Sequence, residues 1–275
     1  MDELRSKLKD KKRVVVKIGS SSLQHPETGD LDYIKMDILV RELCNIRNQG
    51  KDVILVTSGA IACGRRAVHI SKPATIAEKQ ACAAIGQARL MMIYQKLFAE
   101  YNQTIAQILI TKRIMLNEIS KANAENTFAE LLRMEVIPIV NENDPISTDQ
   151  IQEENFGDND TLSANVAELV KADLLILLSD IDGLYDRDPR RDPDAKLIET
   201  VPVIDARILS LAGDKGSELA TGGMVTKLHA AQIATAAGCE MVIANGEKPE
   251  VLYDIVGGKR VGTRFLIPKS EEELL

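Results

Sequence analysis

Residues 13–19 read Arg13-Val14-Val15-Val16-Lys17-Ile18-Gly19. Four of the five residues from Val14 to Ile18 are apolar without alternation, the pattern of a strand buried on both faces. Outward along the chain the same kind of run recurs at Asp52–Thr57 (DVILVT), Thr104–Ile110, Val136–Val140 (VIPIV), Asp173–Leu178 (DLLILL) and Glu240–Ala244. Helical patterns alternate with these runs, at Asp32–Gln49, Thr75–Tyr101, Asn117–Met134, Asn159–Lys171 and Met224–Ala237. The first of them spaces Ile34, Ile38, Leu39, Leu43 and Ile46 along a helix and stops at Gly50, a natural residue just past a helix end. Fully apolar strands alternating with helices predict a mainly parallel sheet covered on both faces, an α/β fold of three layers, αβα. No internal repeat or low-complexity linker interrupts the pattern, so one domain over residues 1–275 is expected.

Composition narrows the function. The 275 residues are 45% hydrophobic and 27% charged, which excludes a disordered or fibrous chain. Lys plus Arg total 34 against 41 Asp plus Glu, a net charge of −7. An acidic chain is ill suited to binding a phosphate backbone, and with no Trp, five Tyr and four Phe it offers few rings for stacking on bases. No nucleic-acid partner is expected. Cys44, Cys63, Cys82 and Cys239 form no C-x-x-C pair, and with His25, His69 and His229 scattered there is no metal-ligating cluster; no metal ligand is assigned. The charged segment Met1–Lys12 lacks the apolar core of a signal peptide. No apolar run approaches the roughly 18 residues of a membrane span. A cytoplasmic protein with no membrane partner is expected.

Lys17 is out of place in a buried strand. A lysine near the end of a central strand is desolvated unless it faces a cleft or an anion; the alternative is an edge strand with the side chain reaching to water. Small and hydroxyl residues stand at several strand ends: Gly19-Ser20-Ser21-Ser22, Thr57-Ser58-Gly59-Ala60 and Thr221-Gly222-Gly223. In open parallel sheets ligands bind beyond the carboxyl ends of strands, where small residues let backbone N–H groups approach an anion. Thr221-Gly222-Gly223-Met224-Val225-Thr226-Lys227 adds a helix start with a second lysine, a suitable place for phosphate. Neither the P-loop pattern nor G-x-G-x-x-G occurs.

Acidic and amide residues gather in Asn141-Glu142-Asn143-Asp144-Pro145 and in Phe156-Gly157-Asp158-Asn159-Asp160. Turn and cap chemistry accounts for one or two of them. A carboxylate there can grip an ammonium, an amide can read a carboxylate, and a further carboxylate can hold lysines in place. Ser179-Asp180-Ile181-Asp182-Gly183-Leu184-Tyr185 closes the strand Asp173–Leu178 and either lines a nucleotide or is only a loop. Asp186 to Asp194 reads as solvated loop rather than metal site.

Taken together, VVVKIGSSSL (14–23), VTSGAIACGRR (56–66), KQACAAIGQ (79–87), VNEND (140–144), FGDNDTLSANVA (156–167), LLSDIDGLYDRDPR (177–190), TGGMVTKLHAA (221–231) and GTRF (262–265) resemble the amino-acid kinase family. Within it they are similar to the branch that phosphorylates the γ-carboxylate of L-glutamate at the entry to proline synthesis. The resemblance covers about residues 13–266 and implies the family's αβα fold. It implies that Lys17 and Lys227 contact the transferring phosphoryl group and that Asp160 positions both lysines together with the metal's water shell. Ser58, Asp144 and Asn159 would bind glutamate, with Asp144 on the α-ammonium. Lys17, Ser179, Asp180 and Thr221, Gly222, Gly223, Met224, Val225, Thr226 and Lys227 would bind ATP, with Mg²⁺ on its phosphates. Proline as feedback inhibitor, with the segment Pro145–Phe156 as an adjustable wall, and a homo-oligomer, dimer or tetramer, are also implied. Many members carry a C-terminal domain like those of RNA-modifying enzymes; none is expected here after the acidic tail. Sister kinases for aspartate, N-acetylglutamate, carbamate or UMP share the lysine pair, and a free ammonium partner such as Asp144 disfavours N-acetylglutamate. A non-catalytic nucleotide sensor would be expected to lose Lys17, Lys227 or Asp160.

Overall fold

The computed structural model describes residues 3–146, 159–212 and 223–268. Eight strands form one sheet: β1 (Arg13–Ile18), β2 (Asp52–Val56), β3 (Ile105–Ile110), β4 (Ile137–Glu142), β5 (Leu174–Ser179), β6 (Thr200–Val201), β7 (Glu240–Asn245) and β8 (Thr263–Phe265). Their spatial order is β3-β4-β2-β1-β5-β7-β8-β6. β1 lies at the centre, parallel to β2 with Lys17 opposite Val56 and to β5 with Lys17 opposite Leu177. β8 runs antiparallel to β7 and parallel to β6, so the parallel sheet ends in a reversed edge.

The helices are α1 (Glu3–Ser6), α2 (Tyr33–Asn48), α3 (Ala60–Ala67), α4 (Ile76–Glu100), α5 (Glu118–Arg133), α6 (Asn159–Leu169), α7 (Ala206–Ser210), α8 (Met224–Ala236) and α9 (Val251–Val256). Local chemistry starts the long ones. The Asp32 carboxylate accepts the Lys35 N–H at 3.0 Å ahead of α2, and Thr75 and Glu78 form a reciprocal capping box ahead of α4. Gly50 follows α2 with φ of +79°, a left-handed turn that glycine adopts without strain.

Strand alternation divides the core into two. Val14, Val16 and Ile18 of β1 pack with Val53, Leu55, Ile137, Ile139, Leu174 and Ile176 against α2, α4 and α9. Val15 of β1 joins Ile54, Val56, Val140, Leu175 and Leu177 against α5, α6 and α8. Helix, sheet and helix make the three expected layers. The period of two therefore turns Lys17 toward the face that carries α6 and α8. It turns Thr57 and Asn141 toward the face that carries α4. The sequence patterns found six of the eight strands. β6 and β8 have two and three residues, too short for any periodicity to register.

Candidate active site

At the carboxyl end of the sheet, Lys17 and Lys227 converge on one carboxylate. Lys17 Nζ lies 2.5 Å from Asp160 Oδ1, and Lys227 Nζ 3.1 Å from Asp160 Oδ2. All three side chains are almost enclosed, with 7%, 7% and 4% of Lys17, Lys227 and Asp160 exposed. Burial works to raise the Asp160 carboxyl, but the two ammonium groups outweigh it and hold the carboxyl below its ordinary range. The triad thus carries one net positive charge in a site largely cut off from water. The Thr226 hydroxyl donates to Asp160 Oδ2 at 3.1 Å, and Lys227 Nζ also donates to the Gly223 carbonyl at 3.2 Å. Each member comes from a different element: β1, the first turn of α6 and the first turn of α8.

Beside the triad opens a cleft of about 520 Å³. Asp180, Asp182 and Tyr185 line it from the segment after β5, and Gly223, Met224 and Lys227 from the start of α8. Arg187 and Arg190 also line it, so part of the segment expected to be solvated loop forms the rim of a cleft. Ser179 is buried at the end of β5 and donates its hydroxyl to Asp180 at 2.9 Å. Val225 is exposed, and the Thr226 hydroxyl is engaged by Asp160 rather than by the cleft. Thr221 and Gly222, with Gly157, Asp158 and most of the segment Pro145–Phe156, lie outside the described residues. At Gly19 an added Cβ would sit 3.6 Å from Lys17 Nζ, so glycine leaves open the space beside that ammonium. The donor set fits an anhydride of phosphates. Among the described residues no three His, Cys, Asp or Glu side chains gather as a metal cage. The Asp180 and Asp182 carboxylates in the cleft wall offer oxygen, the donor type a magnesium ion on nucleotide phosphates would take.

A second cluster adjoins the first through neighbouring residues of α6. Asn159 Nδ2 donates to the Thr57 carbonyl and to Ser58 Oγ, both at 2.8 Å, and lies 3.2 Å from Asn141 Oδ1. Asn141 Nδ2 donates to Gln87 Oε1 of α4 at 2.9 Å. The Thr57 hydroxyl meets the Tyr94 hydroxyl at 2.8 Å. Asp144 follows β4 in a turn, half-buried, and burial pushes its carboxyl up to about 6. The structure therefore brings Ser58 and Asn159 into direct contact, with Asp144 three residues beyond Asn141. α4 approaches this corner without side chains in the way: a Cβ on Gly86 would fall 1.7 Å from the Ala60 carbonyl oxygen, and one on Gly64 1.8 Å from that of Cys82. Gln87, Asn141 and Thr57 received no individual role from the sequence. The available signal was Gln87 following Gly86 inside a helical run, which only the packing of α3 on α4 makes meaningful.

Comparison with known proteins places this arrangement. A model of the amino acid kinase family matches residues 12–245. The glutamate 5-kinase of Clostridium perfringens is 52% identical over 270 residues, covering 98% of this chain and 100% of that one. That of Clostridium tetani is 54% identical over 259 residues, covering 94% and 96%. In fold, the chain resembles the carbamate kinase of Giardia lamblia, solved bound to AMP-PNP (TM-score 0.65, 20% identity, 95% of this chain and 100% of that one). It also resembles the UMP kinase of Ureaplasma parvum (TM-score 0.64, 16% identity, 93% and 99%). With the family's pattern running along most of its length and relatives of half-identical sequence matching nearly end to end, the chain belongs to the amino acid kinase family, in its glutamate 5-kinase branch.

Proposed function

We propose that the protein transfers the γ-phosphoryl group of ATP to the γ-carboxylate of L-glutamate. The observation that carries this reading is the buried Lys17–Asp160–Lys227 triad standing between a cleft and an amide-lined corner. A γ-carboxylate with an ordinary pKa near 4.3 is already ionised at neutral pH and needs no general base. One of its oxygens bonds to the γ-phosphorus as the bond to the bridging oxygen breaks, and that electron pair leaves on ADP. The product is γ-glutamyl phosphate. The obstacle is repulsion between an anion and a polyanion, which positioned positive charge relieves. Lys17 and Lys227 supply it from two sides of the transferring group, and Asp160 fixes the spacing of the two ammonium groups. Magnesium, when bound on the phosphates, neutralises further charge there.

Asp180, Gly223, Met224 and Lys227 line the cleft that the nucleotide would enter, with Ser179 supporting Asp180. The carbamate kinase that shares this fold was solved bound to AMP-PNP, in keeping with a nucleotide ligand here. Ser58, Asp144 and Asn159 would hold glutamate, with Asp144 on the α-ammonium. Proline presents the same ammonium and α-carboxylate without a γ-carboxylate, so it would occupy the same pocket and compete with glutamate. The kinase is read as one domain, cytoplasmic and assembled as a homo-oligomer. Trapping the acyl phosphate with hydroxylamine in the presence of ATP and Mg²⁺ tests the reaction. A hydroxamate is expected with L-glutamate and not with L-aspartate or N-acetyl-L-glutamate; none with glutamate would refute the reading. Inhibition by proline that saturating glutamate fails to relieve would place proline elsewhere.

A further inference from the structure

The hydrogen-bond polarity of the amide corner is dictated by the backbone. Asn141 Oδ1 accepts the Glu142 N–H at 2.9 Å, so its other end must be the NH₂ that donates to Gln87 Oε1. Asn159 faces the Thr57 carbonyl, which only accepts, so its NH₂ points there, and it donates to Ser58 Oγ as well. A primary amide has two N–H donors, and the Thr57 carbonyl, Ser58 Oγ and Asn141 Oδ1, the last at 3.2 Å, share them. What Asn159 has left is Oδ1, buried with no hydrogen-bond partner among the described residues. Gln87, Asn141 and Asn159 are 5%, 3% and 3% exposed, so the hydrogen bonds among them are largely shielded from bulk water. Asn159 can thus offer a substrate only an acceptor. It suits an ammonium and is unable to donate to a carboxylate. Ser58 Oγ, already accepting from Asn159, keeps its own O–H to donate.

We infer that Gln87 is a positioning residue for amino-group recognition: its Oε1 holds Asn141, Asn141 with Thr57 holds Asn159, and Asn159 presents Oδ1 to the α-ammonium. This rests on the reading of the corner as the glutamate pocket. Removing the Gln87 acceptor leaves Asn141 Nδ2 buried without a partner and frees Asn141 to turn, which loosens Asn159 without touching the phosphoryl-transfer triad.

Steady-state kinetics of the full chain with L-glutamate and with glutarate, which lacks the amino group, test it. Gln87→Met should raise the KM for glutamate at least about tenfold, the scale of one buried donor left unpaired. The KM for ATP should stay within about twofold, and the preference for glutamate over glutarate should shrink by the same factor as the glutamate KM rises. Gln87→Glu keeps an acceptor for Asn141 and should preserve that preference. A folded Gln87→Met enzyme with unchanged preference overturns the inference. So does Gln87→Glu losing the preference, which would mean that the Gln87 NH₂ itself meets the substrate carboxylate. If Gln87→Met fails to fold, as a melting curve shows, the Gln87→Glu result decides alone. Wild-type protein inactive with glutamate would instead refute the functional reading, an outcome distinct from a failure of Gln87.

Discussion

Lys17 occupies a position where a valine or isoleucine would fit the strand and a lysine does not, and its partner explains the exception. A charge buried alone is costly; beside Asp160 the ammonium is paired at a place where negative charge must be gathered. If the two lysines act on the phosphoryl group in the transition state, alanine at either lowers kcat by about 10²–10³-fold, the usual scale for one well-placed electrostatic contact. Melting curves should confirm folded protein, and near-normal turnover in Lys227→Ala would sink the assignment. Asp144 makes a different prediction because burial has pushed its carboxyl up to about 6. Only the ionised form attracts an ammonium, so kcat/KM for glutamate should be flat above pH 7 and fall about tenfold per pH unit below pH 6. Asp144→Asn should abolish that limb and cost about 2–4 kcal/mol in glutamate recognition, with the KM for ATP little changed. A pH profile identical in wild type and Asp144→Asn would exclude Asp144 as the titrating group.

Among the elements, the close crossing of α3 and α4 is the most exacting. Gly86 faces the Ala60 carbonyl and Gly64 faces that of Cys82 at distances that admit no side-chain carbon. Gly86→Ala must therefore push the helices apart, at a cost of about 1–3 kcal/mol or more. It should also carry Gln87 away from Asn141 and raise the KM for glutamate; a crystal structure and kinetics of that variant check both. Much of the architecture was legible because its signals are local. Buried parallel strands announce themselves as unbroken apolar runs, and α2 and α4 carry their caps at Asp32 and Thr75. α3 was not legible: eight residues, Ala60–Ala67, with two arginines and an internal glycine, give too few turns for a period to emerge. The reversed strand β8, one in from the sheet edge, was hidden for the same reason. In the site, Lys17 stood out because it broke a pattern. Asn141 and Gln87 did not, since a polar residue at a strand end or on a helix violates nothing until its partner 54 positions away is known.

At the scale of the whole molecule, the chain's beginning is tied to its far edge. The Arg5 guanidinium is 1% exposed and donates to the carbonyls of Val261, Glu199 and Gly262 at 2.7, 2.6 and 2.9 Å. Arg5→Ala strips those carbonyls of a charged donor and should lower stability by about 2–4 kcal/mol, seen as an earlier melt and faster amide exchange in β8. The central position of β1 has a further consequence, for synthesis rather than catalysis. β1 can pair with β2 as soon as residue 56 is made, but its other neighbour, β5, pairs Leu174 with Val14 across 174 − 14 = 160 residues. At typical translation speeds of about 5–20 residues per second, the 178 − 56 = 122 residues between completion of β2 and of β5 keep the nascent half-sheet waiting roughly 6–24 s with one edge of β1 uncovered. Lys17 is the one charge among the five residues, Val14–Ile18, that later pair with β5, and a charge on an open edge discourages pairing with another chain. The residue placed to gather phosphate would thus first serve as a guard on the ribosome. Stalled nascent chains ending before β5 should aggregate more with Lys17→Val than with lysine, and that difference should vanish once β5 has emerged.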